Sequence, residues 1–159
     1  MKPTVRIRAY AASDAAALAE VFRRSVTGIG PRDYSAAQVL AWASRTPSPQ
    51  AINARYTDGR TALVATDDAD QPIAFGDLEQ DGHVDFMYCA PEAAGRGVAS
   101  ALYDQLEAAA RAGGLTRIYT EASEAARRLF ERKGFVVTAR RDLIVAGTHI
   151  HNFAMEKQV

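Results

Sequence analysis

The chain has 159 residues, 48% hydrophobic and 24% charged, which is enough for one domain with its own core, in the proportions of a soluble globular protein. Nineteen basic residues balance nineteen acidic ones, so no net field draws nucleic acid, and there is no basic run or zinc-type spacing. A lone cysteine, Cys89, excludes an internal disulfide, and the absence of an apolar leader or a membrane-length apolar run leads us to expect a cytoplasmic protein with no membrane partner.

Taken in order, Thr4–Tyr10 alternates apolar and charged residues and predicts a strand. Ser13 can cap a helix from about Asp14 to Arg24, with Leu18, Val21 and Phe22 on one side. "TGIGPRDY" predicts a loop. Ser35 and Gln38 have the spacing of a capping box for "SAAQVLAWA", and the prolines of "RTPSPQ" end that helix. Strands are expected at Thr61–Thr66, Ile73–Glu79 and His83–Cys89, the last two joined by a hairpin at Asp81-Gly82. A helix from about Gly97 to Ala112 carries Val98, Leu102, Leu106 and Ala109 on one stripe, and Gly113-Gly114 stops it. Arg117–Glu121 predicts a short strand, Ser123 caps a helix that Gly134 ends, and Phe135–Val145 with Thr148–Lys157 predicts a closing hairpin. The order describes one mixed α/β domain over 1–159, without linker or repeat, and argues against a repeating parallel sheet.

The segment "APEAAGRGVASAL" lies between a strand and a helix. The first turn of a helix leaves amide N–H groups without partners, and the macrodipole makes that end partly positive. Glycines let the backbone approach an anion. Gly95, Arg96, Gly97, Val98, Ala99 and Ser100 can therefore aim successive amides at a phosphate, with a charge at the rim from Arg96 and a hydroxyl from Ser100. A plain turn satisfies the same spacing. The Walker and dinucleotide patterns are both absent.

"GRGVASAL" after "DFMYCAP", followed by "RLFERKGF", resembles the GNAT superfamily of N-acetyltransferases. The acetyl-CoA motif of that superfamily falls on Ala94, Gly97 and Ala99, with Ala94 replacing the usual polar residue. "NFAMEK" is similar to the last strand of the family. "DYSAAQVLAWA" resembles the acceptor-side helix of a bacterial branch. The resemblance implies an α+β fold: a mostly antiparallel sheet of six to seven strands, splayed at its centre, with about four flanking helices. It also implies acetyl-CoA as co-substrate, with no metal, and pantetheine pairing with the backbone of Met87, Tyr88 and Cys89. The implied acceptor is a primary amine of a small molecule or peptide, and a homodimer is possible.

Transfer to an amine needs a base, because an amine of pKa about 10.4 is protonated at neutral pH. It also needs a donor to the thioester oxygen and a proton for the departing thiolate. Asp85 is the first candidate for the base, and strand alternation puts it on one face with His83, Met87 and Cys89. His83 could relay a proton, while Glu79 and Glu121 are weaker alternatives. The Tyr88 amide is expected to face the thioester oxygen. In place of the tyrosine that relatives carry in the final helix this chain has Phe130, which has no proton to give. Tyr88, Tyr119 and Cys89 remain as possible acids, and Phe130 can still pack against pantetheine or simply belong to the core. Ser123 reads as a helix cap that can also touch pantetheine. Asp33, Tyr34, Trp42 and His151 are placed on the acceptor side. Cys89 has no neighbour in sequence that lowers its pKa, so direct transfer in a ternary complex is expected over an acetyl-cysteine. The competing reading is a CoA-binding sensor or scaffold without catalysis.

Overall fold

The computed structural model describes residues 5–159; Thr4, the expected start of the first strand, lies outside them. Strand β1 (Arg6–Ala9) leads through a short turn into α1 (Ala15–Ile29), then α2 (Ala36–Ala43) and α3 (Pro49–Arg55). Strands β2 (Thr61–Thr66), β3 (Pro72–Leu78), β4 (His83–Val84) and β5 (Met87–Cys89) follow. Then come α4 (Val98–Ala112), β6 (Arg117–Ala122), α5 (Glu124–Arg132), β7 (Val136–Val145) and β8 (Thr148–Gln158). The described residues thus form eight strands and five α-helices, a mixed α/β domain of the expected class with one more helix.

Helix α1 outruns its expected end and includes Thr27 and Gly28 from the segment read as loop. Gly28 is there for proximity rather than for a turn. A Cβ on it would lie 2.5 Å from the Pro91 Cγ, so α1 packs directly against the segment after β5. The unexpected helix α3 starts where proline was read only as a stop. The Ser48 hydroxyl accepts the Ala51 amide at 3.1 Å, and Pro49 takes the first helical position, where no N–H is needed. The predicted capping box forms: the Gln38 amide donates to Ser35 Oγ at 3.1 Å and the Ser35 amide to Gln38 Oε1 at 2.9 Å.

The strands make two four-stranded sheets, ordered β1-β2-β3-β5 and β4-β6-β8-β7. Leu18, Val21, Phe22 and Val26 of α1 cover one face of the first sheet, against Val64 and Phe75. Helix α4 covers the other, where Val98 and Leu102 meet Ala65 and Ala74. Tyr103 and Leu106 of α4 continue to Ile118, Phe130 and Met155 of the second sheet and α5, so one core spans both sheets.

The chain changes sheets between β4 and β5. His83 pairs with Tyr119 in parallel, whereas Met87 pairs with Gly76 in antiparallel. The expected single strand His83–Cys89 is broken at Asp85-Phe86, and the cause is a side chain. The buried Asp77 carboxylate accepts the amides of Asp85 at 2.9 Å and Phe86 at 3.2 Å, removing both from the ladder. Side-chain alternation slips by one there. Val84 packs on the α4 side of the core with Leu106, while Phe86 and Tyr88 pack on the α1 side. The expected common face of His83, Asp85, Met87 and Cys89 is therefore not formed. Beyond the break the two sheets diverge, and β5 ends its sheet with one edge open.

Candidate active site

Two cavities lie along this divergence. One, of about 310 Å³, is lined by Gly95, Gly97, Val98, Ala99 and Ser100 of the loop and first turn of α4. Met87, Tyr88 and Cys89 of β5, one side of α5, and Ser25 and Ile29 of α1 with the segment that follows also line it. Gly97 is the N-cap of α4 at φ 79°, and Gly95 has φ 74°, a left-handed geometry that suits glycine. No atom outside the neighbouring residues lies within 4 Å of where a Cβ would stand on either one. The first helical bond is from the Ala101 amide to the Gly97 carbonyl at 3.0 Å, leaving the amides of Val98, Ala99 and Ser100 free of intrahelical partners. An empty concavity faced by free amides at the positive end of a 15-residue helix fits a diphosphate. Arg96 does not line the cavity; its guanidinium turns back to the Glu92 carbonyl at 3.2 Å. Arg32, Arg128 and Arg132 line it instead, with Arg128 paired to Asp33.

Which backbone groups β5 offers follows from its register. The Asp77 amide donates to the Phe86 carbonyl at 3.1 Å, and the Ala90 amide to the Ile73 carbonyl at 2.8 Å. Bonded positions alternate along an antiparallel ladder, so Tyr88, opposite Phe75, also turns its amide toward β3. The amides and carbonyls of Met87 and Cys89 face the open edge. The Tyr88 amide, expected to face the thioester oxygen, is thus turned toward β3 and away from the open edge.

The second cavity, of about 150 Å³, is lined by Asp85, Thr120, Glu121, Leu143, Val145, Ile150 and Arg45, among others. Met87, Tyr88, Ser123, Ala126, Tyr34 and Trp42 line both cavities, so the two share a wall. The Tyr88 ring packs against Phe22 at 4.3 Å and Trp42 at 6.4 Å between centroids. Burial raises the Tyr88 phenol above its usual pKa, and the Trp42 indole partly offsets this. The Tyr34 hydroxyl donates to the His151 carbonyl at 3.0 Å and accepts the Glu124 amide at 3.1 Å, so both of its roles are taken.

Each candidate for proton transfer has a defined setting. Asp85 Oδ2 carries the guanidiniums of Arg55 and, at 3.1 Å, Arg60. His83 Nδ1 meets Glu79 Oε1 at 2.6 Å and Nε2 meets Glu121 Oε2 at 2.9 Å. The Glu121 contact first, then Glu79, raises its pKa to about 9 against the cost of burial. With both nitrogens donating to carboxylates, His83 is an imidazolium at neutral pH and has no lone pair for a proton. It also lies outside both cavity linings. The same contact holds Glu121 below the usual glutamate range. Glu79, His83 and Asp85 bring one potential metal-ligand atom each within 4.8 Å of one another, but protein partners already take the histidine nitrogens and Asp85 Oδ2.

Phe130 is buried edge-to-face against Tyr103 and Phe135 at 5.8 and 4.8 Å, and it also lines the smaller cavity. Ser123 Oγ accepts the Ala126 amide at 3.3 Å as a cap and lines both cavities. The Tyr119 hydroxyl is bonded to Asp81 in the hairpin, outside both cavities. Burial pushes the Cys89 thiol up to about 11, so it is not a thiolate at neutral pH.

A sheet opened beside a helix N-terminus, with two adjoining cavities along the open strand, is the architecture of an acyl-CoA-binding transferase. Residues 31–158 match the acetyltransferase (GNAT) domain family, and the chain belongs to it. It is 29% identical over 152 residues to the uncharacterized N-acetyltransferase YafP of Escherichia coli, covering 95% of this chain and 94% of that protein. A GCN5-related N-acetyltransferase from Rhodopseudomonas palustris superposes with a TM-score of 0.90 at 32% identity, over 100% of this chain and 99% of the other. A phosphinothricin acetyltransferase from Sinorhizobium meliloti, solved in complex with acetyl-CoA, has a TM-score of 0.77 at 21% identity, over 98% and 89%. This chain shares the fold of that acetyl-CoA complex. Among the described residues no helix is long and apolar enough to cross a membrane.

Proposed function

We propose that this protein transfers the acetyl group of acetyl-CoA to the primary amine of a small molecule, by direct attack in a ternary complex. The observation that carries the reading is the wall common to the two cavities, built on the open strand β5. In this reading the diphosphate rests on the amides of Val98, Ala99 and Ser100, and the coenzyme's amide arm pairs with the free edge of Met87 and Cys89. The acceptor enters from the smaller cavity. Holding both reactants at one wall can itself lower the barrier by several kcal/mol, on the order of 7 in favourable cases.

Glu121 and Asp85 are the carboxylates lining the acceptor cavity. Two guanidiniums hold Asp85 and one imidazolium holds Glu121. Glu121, the less engaged of the two, is assigned as acceptor of the amine proton, with His83 positioning it. A free amide at the β5 edge, from Met87 or Cys89, meets the developing oxyanion. The amine nitrogen forms its bond to the acyl carbon as the carbon–sulfur bond breaks, and the thiolate takes a proton. Phe130 cannot supply that proton and the Tyr34 hydrogen is committed to a carbonyl, so the Tyr88 hydroxyl is assigned to it.

The test is an amine panel with acetyl-CoA, read as free thiol, beside a thermal-shift titration with CoA, acetyl-CoA and ATP. Turnover, with stabilisation by both CoA forms, supports the proposal. Phe130 favours a second reading, a CoA sensor, for which stabilisation without thiol release across the panel would argue. Preference for ATP would overturn both.

A further inference from the structure

The ionic groups of the acceptor cavity are not evenly compensated. Asp85 is neutralised by Arg55 and Arg60 and Glu121 by His83, while the His151 ring is hydrogen-bonded to Glu124 at 3.0 Å. Arg45, which follows the end of α2 and lines the same cavity, has no side-chain hydrogen bond or ion pair among the described residues. An incoming ammonium thus finds no carboxylate without a cation of its own, whereas an incoming carboxylate finds a free guanidinium. Opposite lies an aliphatic wall. Leu143 and Ile150 face each other across the β7–β8 ladder, with Val145 beside them and Trp42 on the shared wall. A volume of about 150 Å³ is the size of an apolar cavity that holds a benzene-sized group.

We infer that the acceptor is a free amino acid with an apolar side chain, its carboxylate held by Arg45 and its side chain by Leu143, Val145 and Ile150. This rests on the acetyl-transfer reading above. The guanidinium fork suits a carboxylate geometrically, and a charged hydrogen bond of this kind is worth about tenfold or more in affinity. A polyamine, with cationic charge in place of the carboxylate, is the acceptor the cavity suits least.

The experiment compares L-leucine and L-methionine with isoamylamine, which is leucine without its carboxylate, and with spermidine. The full-length chain is assayed for thiol release. The expected result is a kcat/KM for leucine at least tenfold above that for isoamylamine, with spermidine lowest. In Arg45→Ala the leucine-to-isoamylamine ratio falls toward one, and Arg45→Lys restores part of it. Binding of N-acetyl-L-leucine, followed by calorimetry, weakens about tenfold in Arg45→Ala, which gives a readout independent of turnover. Equal or better use of isoamylamine or spermidine would overturn the inference. So would a lower melting temperature in Arg45→Ala with an unchanged ratio, which would mean that Arg45 serves only the end of α2. Stabilisation by acetyl-CoA with no amino acid acetylated refutes the acceptor class and spares the coenzyme site, whereas no stabilisation by acetyl-CoA removes both.

Discussion

Asp77 shows how one side chain sets the site. It is buried with its carboxylate on the Tyr56 hydroxyl at 2.8 Å and on two amides of the broken strand. Asp77→Ala strands three polar groups, so a loss of roughly 2–4 kcal/mol is expected in denaturant unfolding, with a larger fall in kcat than in thermal stability alone would explain. Burial raises Asp77 to about 6 from 3.8. The folded state then holds this proton more tightly than the unfolded chain, so the group's contribution improves as pH falls from 6 toward 4. His83 runs the same way in a higher window: raised to about 9 from 6.5, it contributes stability in full below 6.5 and loses it as pH rises through 9. The loss of melting temperature between pH 6.5 and 9 is expected to shrink in His83→Gln. If Glu121 is the base, Glu121→Gln lowers kcat by about 10²-fold or more and Asp85→Asn by less. Steady-state kinetics reporting the reverse order would return the role to Asp85. None of these settings was legible in the sequence. The partners of Asp85, Arg55 and Arg60, lie 30 and 25 residues away, and strand alternation put Asp85 on a face that the break removes.

At the scale of elements, most local chemistry read well, although Ser13 lies inside the short turn before α1 and makes no capping bond to it, and contacts between elements did not read. The Ser35–Gln38 box, the Ser123 cap, the hairpin at Gly82 and the glycine loop before α4 are signals within a few residues, and each element formed where its signal stands. Helix α3 was missed because proline was read as an ending, although Ser48 before it is a cap. The break between β4 and β5 was missed because its cause sits on β3. Gly28 read as loop because its reason is a neighbour 63 residues on. Gly28→Ala forces α1 away from Pro91, so a loss of about 1–3 kcal/mol is expected, together with a raised KM for acetyl-CoA, because Pro91 begins the segment leading to the phosphate loop. An unchanged KM would mean that α1 does not brace that loop. Gly97→Ala, at φ 79°, carries about 1–2 kcal/mol of backbone strain and is expected to weaken coenzyme binding in the thermal-shift titration.

For the molecule as a whole, the two sheets meet over one core and part where the chain changes sheets. That parting makes an open strand edge, a helix N-terminus and two cavities converge. The family was readable from "GRGVASAL" and its surroundings because backbone recognition leaves a glycine signature. The acceptor side was legible only in part: Tyr34, Trp42 and His151 line the smaller cavity, Asp33 lines only the larger one, and Arg45, Leu143, Val145 and Ile150 were missed because no local spacing brings α2 and the β7–β8 hairpin together. The most direct test is a crystal structure with acetyl-CoA. The account predicts the diphosphate on the amides of Val98, Ala99 and Ser100, the amide arm along Met87 and Cys89, and the acetyl group at the wall between the cavities. Coenzyme bound away from α4, or an acetyl group pointing out of that wall into solvent, would contradict it.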